Sequence, residues 1–183
     1  MKKYLALLTI CLFLAGCLSS SVPLIPETDL VLPFRGDTKV MSFDQDDRDP
    51  TRWKTESSQM YTLKRHDKKY SVYMEGHALY EIAFANLDPK RGRLLVQFKI
   101  LGKEGRSNTE YSYGIAEKIG DKLFYSFPQM RDVSSGHFEE LWNKYDCKGG
   151  PLRDKCRDFQ SYAEVREVLG AAWPEYRSYL LIR

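Results

Sequence analysis

Arg93-Leu94-Leu95-Val96-Gln97-Phe98-Lys99-Ile100 decides the fold of this 183-residue chain. Leu94, Val96, Phe98 and Ile100 stand two apart, with Gln97 and Lys99 between them. That is the period of a strand with one apolar face. The stretch is entered through Asp88-Pro89-Lys90-Arg91-Gly92. Pro presets φ there and Gly accepts φ above zero, so a tight reversal is expected. On the far side of that reversal Tyr80, Ile82 and Phe84 share one face of a preceding strand.

The same alternation extends in both directions. Upstream, Tyr61, Leu63 and Arg65 alternate with Thr62 and Lys64, and Tyr70, Val72 and Met74 follow a polar hairpin loop, His66-Asp67-Lys68-Lys69. Met41 and Phe43 suggest an earlier strand, set apart by a polar stretch from Asp44 to Gln59. Downstream, a Gly-bearing polar loop from Gly102 to Asn108 leads to Tyr111, Tyr113 and Ile115. Gly120-Asp121 is a short hairpin turn, and Leu123, Tyr125 and Phe127 close the series. Six or seven short strands joined by short turns predict an antiparallel meander, as a curved sheet, a small barrel or a sandwich.

The last third changes period. Phe138, Leu141 and Trp142 are spaced as on a helix that Ser135 could cap. Ser161-Tyr162-Ala163-Glu164 fits a capping box ahead of Val165, Val168, Leu169, Ala172 and Trp173 on one helical face. Gly170 weakens this helix and Pro174 limits it. Tyr176, Ser178, Leu180 and Ile182 alternate against Tyr179 and Leu181, which favours a final strand. The expected class is α+β, β-dominated, with helices late in the chain.

The N-terminus has three zones: Met1-Lys2-Lys3, an apolar run from Tyr4 to Phe13, and Leu14-Ala15-Gly16 before Cys17. The apolar run is shorter than the ~20 residues that cross a bilayer, and it has the form of a secretory signal. Leu14-Ala15-Gly16-Cys17 in that place resembles the lipobox of bacterial lipoproteins, and the chain as a whole resembles small proteobacterial lipoproteins. The resemblance implies that residues 1–16 are removed and that Cys17 carries acyl chains such as palmitate. Leu18 and Ser19 follow Cys17, without the Asp that retains enteric lipoproteins at the inner membrane. The implied address is the outer membrane, facing the periplasm. Residues 17–33, with Ser19-Ser20-Ser21, Pro23, Pro26 and Pro33, read as a tether that spans at most ~50 Å if extended. Its apolar residues, Leu24, Ile25, Leu30, Val31 and Leu32, suggest that part of it packs on a single domain of residues 34–183.

Removal of Lys2 and Lys3 leaves 26 basic against 25 acidic residues, which gives no charge-based case for nucleic acid. It also sorts the four cysteines. Cys11 leaves with the signal, Cys17 is the lipid site, and Cys147 and Cys156 remain as a pair for which an oxidising compartment favours a disulfide. Their spacing suits neither a zinc site nor a redox motif.

Candidate chemistry is sparse. His66, His77 and His137 are scattered and form no HExxH. Asp44-Gln45-Asp46-Asp47-Arg48-Asp49 lacks the glycine of a calcium loop, so no metal and no cofactor is expected. Lys64 to Lys69 is a basic cluster that suits a solvated hairpin tip. No nucleophile elbow or phosphate loop is present, which leaves an enzyme as the minority expectation. Eleven tyrosines lie beyond the signal, and Tyr111, Tyr113 and Tyr125 on predicted strands are candidate binding residues. The leading expectation is a non-catalytic envelope lipoprotein that binds another protein, a peptide or a glycan. The alternative is a carrier of a small apolar ligand in a lipocalin-like cavity.

Overall fold

The computed structural model describes residues 18–46, 49, 52–101, 110–149, 156–174, 176 and 178–183. Two short strands come first, β1 (Ser19–Ser20) and β2 (Leu30–Val31). Eight longer ones follow: β3 (Thr38–Gln45), β4 (Trp53–His66), β5 (Lys69–Met74), β6 (His77–Asp88), β7 (Arg93–Ile100), β8 (Tyr111–Ile119), β9 (Lys122–Ser126) and β10 (Ser178–Ile182). From β3 to β9 each pairs antiparallel with the next, and β10 pairs with both β9 and β3. The meander is therefore a closed eight-stranded antiparallel barrel. Closure removes the unpaired edges that an open sheet would expose.

Two helices, α1 (Ser135–Lys144) and α2 (Tyr162–Ala171), stand between β9 and β10. The Ser161 hydroxyl caps α2 by accepting from the Glu164 N–H at 3.3 Å. The Glu164 carboxylate, however, accepts from the Gln160 N–H and pairs with Arg157 rather than turning back to the cap residue.

The barrel wall separates two cores. Inside lie Phe34, Val40, Leu63, Tyr70, Val72, Phe84, Val96, Phe98, Ala116 and Leu123. Outside, against β6, β7 and β8, the belt of residues 18–30 and the two helices cover Ala83, Ala85, Leu95, Tyr113 and Ile115 with Leu18, Ile25, Leu141, Val165, Val168 and Leu169. β7 is thus covered on both faces, which corrects the one-faced expectation: Leu95 and Gln97 are buried as fully as Val96 and Phe98. The run Leu94-Leu95-Val96 is the trace of that double burial, since strands covered on both faces lose clean alternation.

The segment expected as a tether is built into the domain. Leu18, Ser19 and Ser20 are buried, and β1 pairs with the start of β8, Ser19 opposite Ser112 and Ser20 opposite Tyr111. The Leu18 carbonyl accepts from the Tyr113 N–H and the Ser19 carbonyl from the Phe159 N–H. Farther on, the side-chain oxygen of Gln97 accepts the N–H groups of Leu24 at 2.9 Å and Ile25 at 3.2 Å. β2 then joins β6, Leu30 opposite Ala85 and Val31 opposite Phe84. Proline kept the belt from forming long ladders, yet the buried backbone groups of Leu18, Ser19 and Ile25 found partners, as buried backbone must.

One more expectation needs correction. Asp44 to Gln59 is largely strand: β3 runs to Gln45 and β4 starts at Trp53, with a register shift between Ser42 and Asp44. The ladder Asp44–Lys54 and Gln45–Trp53 sets the structure there, where side chains carry no apolar period.

Candidate functional site

The two ends of the barrel differ. At the end where β3 begins, the segment between β2 and β3 inserts Phe34, 4% exposed, into the interior. Its ring meets Tyr70 and Phe84 edge to face, at centroid distances of 5.5 and 6.0 Å. The centre of this half is filled: Val40, Leu63 and Tyr70 keep no accessible surface, while Leu94 and Ile182 at its rim are half-buried. On the outside of the closed end a shallow cleft of about 360 Å³ lies between Val31–Pro33 and the β6–β7 turn, where the Lys118 ammonium donates to the Pro33 carbonyl.

Toward the other end, inward-facing side chains retain accessible surface. Ile82 and Leu180 belong to the interior cluster and sit mid-strand, yet both are only half-buried. Beyond them stand Tyr61, Tyr80, Ile100, Tyr125 and Phe127, likewise half-buried. Their rings form an arc: Tyr80 to Phe98 at 5.2 Å, Phe98 to Phe127 at 5.4 Å, and Phe127 to Tyr125 at 6.2 Å. Register explains the convergence. Tyr125 lies opposite Ser178 of β10, and Ser178 lies opposite Asp44 of β3, so one ring of residues crosses three strands.

Polar groups are set among these rings. Tyr61 donates to the Gln59 side-chain oxygen at 2.6 Å, and Ser178 donates to the Asp44 carboxylate at 2.6 Å. Burial pushes the Tyr125 hydroxyl well above the ordinary tyrosine range, and the Asp44 charge pushes the same way, against the pull of Ser178. Burial likewise raises Tyr61, with Ser42 lowering it and Asp44 adding to the rise. Both phenols therefore stay neutral at physiological pH, able to donate and accept. Aromatic walls, neutral hydroxyls and one rim carboxylate suit an amphipathic small molecule, its apolar part on the rings and its polar part on the hydroxyls. Among the described residues no cluster of three His, Cys, Asp or Glu could hold a metal ion.

The sequence-predicted residues fall in different places. Cys17 lies outside the described residues. The Sγ atoms of Cys147 and Cys156 are 2.10 Å apart, the separation of a disulfide. Tyr111 and Tyr113 belong to the outer wall. The Lys99 ammonium sits 5.3 Å from the Tyr111 ring centroid. The buried Tyr113 hydroxyl shares a 2.6 Å hydrogen bond with Ser20 and approaches the Val22 carbonyl and Gln97 at 3.4 Å. Burial raises its pKa to about 12. Tyr125 alone of the three enters the lumen, so they do not form one face. Sequence reasoning had Tyr61 and Tyr80 as alternating residues without singling them out, and missed Asp44, Gln59, Phe98 and Ser178 as site residues. Strand pairing, above all β10 with β9, is the signal that unites them. The basic cluster at Lys64–Lys69 has internal partners, including Lys68 to the Glu27 carbonyl at 3.0 Å and Lys69 to Glu81 at 3.4 Å.

No family model, curated protein or solved structure matches the chain.

Proposed function

We propose that this chain is a lipid-anchored carrier that holds a small amphipathic molecule in the open half of its barrel. The observation that carries the reading is the contrast between the two halves: one plugged by Phe34, the other lined by Ile82, Leu180, Tyr61, Tyr80 and Tyr125 with surface to spare. Small barrels of eight strands either fill with side chains or hold one small ligand, and this one divides those roles along its axis. The anchor at Cys17, and a place on the periplasmic side of the outer membrane, rest on the lipobox resemblance. The expected binding residues Tyr111 and Tyr113 lie outside this lumen, and the Tyr113 hydroxyl is held by Ser20 of the belt.

A titration with N-phenyl-1-naphthylamine tests the reading. The expected result is a saturable rise in emission, abolished by Leu180→Trp, which fills the lumen beside Tyr125. Absence of saturable binding by protein with a strand-type circular dichroism spectrum would overturn it.

A further inference from the structure

We propose that the outer face of β9, β10, β3 and β4 is the surface on which the domain lies against the lipid bilayer; this rests on the reading of Cys17 as the lipid site. The wall of β6–β8 is covered by the belt and the helices, whereas this opposite wall has no second layer among the described residues. It carries a continuous aromatic and thioether patch, in which partly exposed rings surround the buried ring of Tyr179. Phe43 stacks on Tyr179 at 5.0 Å, Trp53 meets Tyr179 edge to face at 4.6 Å, and Phe124 meets both Tyr179 and Tyr176, at 5.4 and 6.1 Å. Met41 lies between Met60 and Leu181 in the same outward register.

Met60, 43% exposed, belongs to this face, and Ile119, 57% exposed, lies opposite Lys122 at its border. Trp173, 67% exposed, stands on the segment that leads into β10, its N–H on the Asp132 carbonyl. Lys39, Lys122 and Arg183 flank the patch, with the Lys122 ammonium 5.1 Å from the Tyr179 ring centroid and the Arg183 guanidinium 3.9 Å from the Met41 sulfur. Trp and Tyr beside Lys and Arg are the composition of a membrane–water interface.

The anchor chooses the occupant. β1 and β9 share one edge of β8, end to end: Leu18 bonds to Tyr113, and Ser126 lies opposite Ile115, two residues farther along. Two residues of strand span about 7 Å. Leu18 is itself 2% exposed and held on β8. A lipid on the preceding residue would have no spacer and would enter the bilayer near the end of β9. Phe124 and Tyr176 stand two residues farther along β8, at Glu117, at the edge of the patch. An acyl anchor at that point brings the adjoining wall to the headgroups, while a partner protein would have to compete with a surface already in contact.

The test uses the full chain, matured in an envelope-bearing bacterium and reconstituted into phosphatidylethanolamine–phosphatidylglycerol vesicles with brominated acyl chains. Trp53 and Trp173 report in a W142F protein, and Trp142 reports in a W53F/W173F protein. The expected result is loss of emission from the first and none from the second, with a smaller loss when Lys122→Glu and Arg183→Glu are added. Equal quenching of Trp142, or none at Trp53 and Trp173, in protein shown by mass to carry acyl chains overturns the docking face and leaves the anchor reading standing. A photocrosslink from position 60 to an envelope protein, with no quenching, assigns the face to a partner and overturns the proposal as well. A chain without acyl mass, unchanged by Cys17→Ser, removes the anchor and the proposal together.

Discussion

The hydroxyl of Tyr70 and the backbone of Phe34 hold each other in both directions: Tyr70 donates to the Phe34 carbonyl at 2.8 Å and accepts its N–H at 3.2 Å. Thirty-six residues separate them in the chain. Neither group has access to water, so each satisfies the other's buried polar atoms, and the plug is fixed in depth as well as in position.

Phe34→Ala should cost about 3–5 kcal/mol, the range for truncating a buried aromatic. Tyr70→Phe should cost less, about 1–3 kcal/mol, because it leaves the Phe34 carbonyl and N–H unpaired without opening a large cavity. Urea unfolding of the two variants checks the order. A Phe34→Ala protein that is the more stable of the two would contradict the plug.

Gln97 tests the belt. Its side-chain oxygen serves two backbone donors, Leu24 and Ile25. Gln97→Leu keeps the volume but strands both, at a cost of about 1–3 kcal/mol per group. Hydrogen exchange should quicken at Leu24 and Ile25 well before it does in β5 or β6. Uniform protection across the belt would show that these two bonds are not what holds it.

Gly114 sits where β1 gives way to β9 along β8. A Cβ at this position would lie 2.6 Å from the Ser126 carbonyl oxygen and 2.8 Å from the Phe127 ring. Gly114→Ala should therefore destabilise by about 1–3 kcal/mol, as overpacking does, and it should disturb the lumen through Phe127. Thermal melting together with the naphthylamine titration checks both effects. An unchanged melting point would mean that β9 can yield there at no cost.

Alkaline pH should loosen the belt. The Tyr113 pKa is raised from 10.0 to about 12 in the folded protein, so the unfolded chain gives up this proton first. The stabilisation is fully present below pH 10 and is lost as pH rises through about 12. Tyr125, Tyr145 and Tyr176, also raised, act in the same direction. Unfolding midpoints should hold from neutral pH to about pH 10 and then fall steeply towards about pH 12, and less steeply for Tyr113→Phe. A parallel slope in the variant would take Tyr113 out of the account.

Much of the fold was legible in the sequence because a strand with unlike faces writes a period of two. β5, β9 and β10 were visible on those grounds, and so were β7 and β8, although the belt and helices cover their outer faces too; Gly92 and Gly120 at positive φ marked the turns. α1 and α2 were visible from their apolar spacing. β1 and β2 were not, since two residues carry no period and the prolines around them suggested a spacer. The first half of β4 was hidden for the opposite reason: it is held by its ladder to β3 and has little apolar pattern. The lumen site was half legible. Alternation tells that Tyr113 and Tyr125 each share a face with apolar neighbours, but the sign of that face is set by closure. Only when β10 pairs with β9 and β3 does Tyr125 turn inward to Ser178 and Asp44, while Tyr113 remains on the outer wall against Ser20.

The belt also determines how the molecule bears load. Leu18 and Ser19 are clasped from two sides, by Tyr113 on β8 and by Phe159 ahead of α2. A pull applied to Leu18 along the strand direction would be shared as shear between the barrel wall and the helical layer. Such a pull cannot peel one bond at a time from a free end, nor reach the Phe34 plug until both clasps have slipped. Tension in that direction is thus borne by the wall, and the Phe34 plug is mechanically insulated from it.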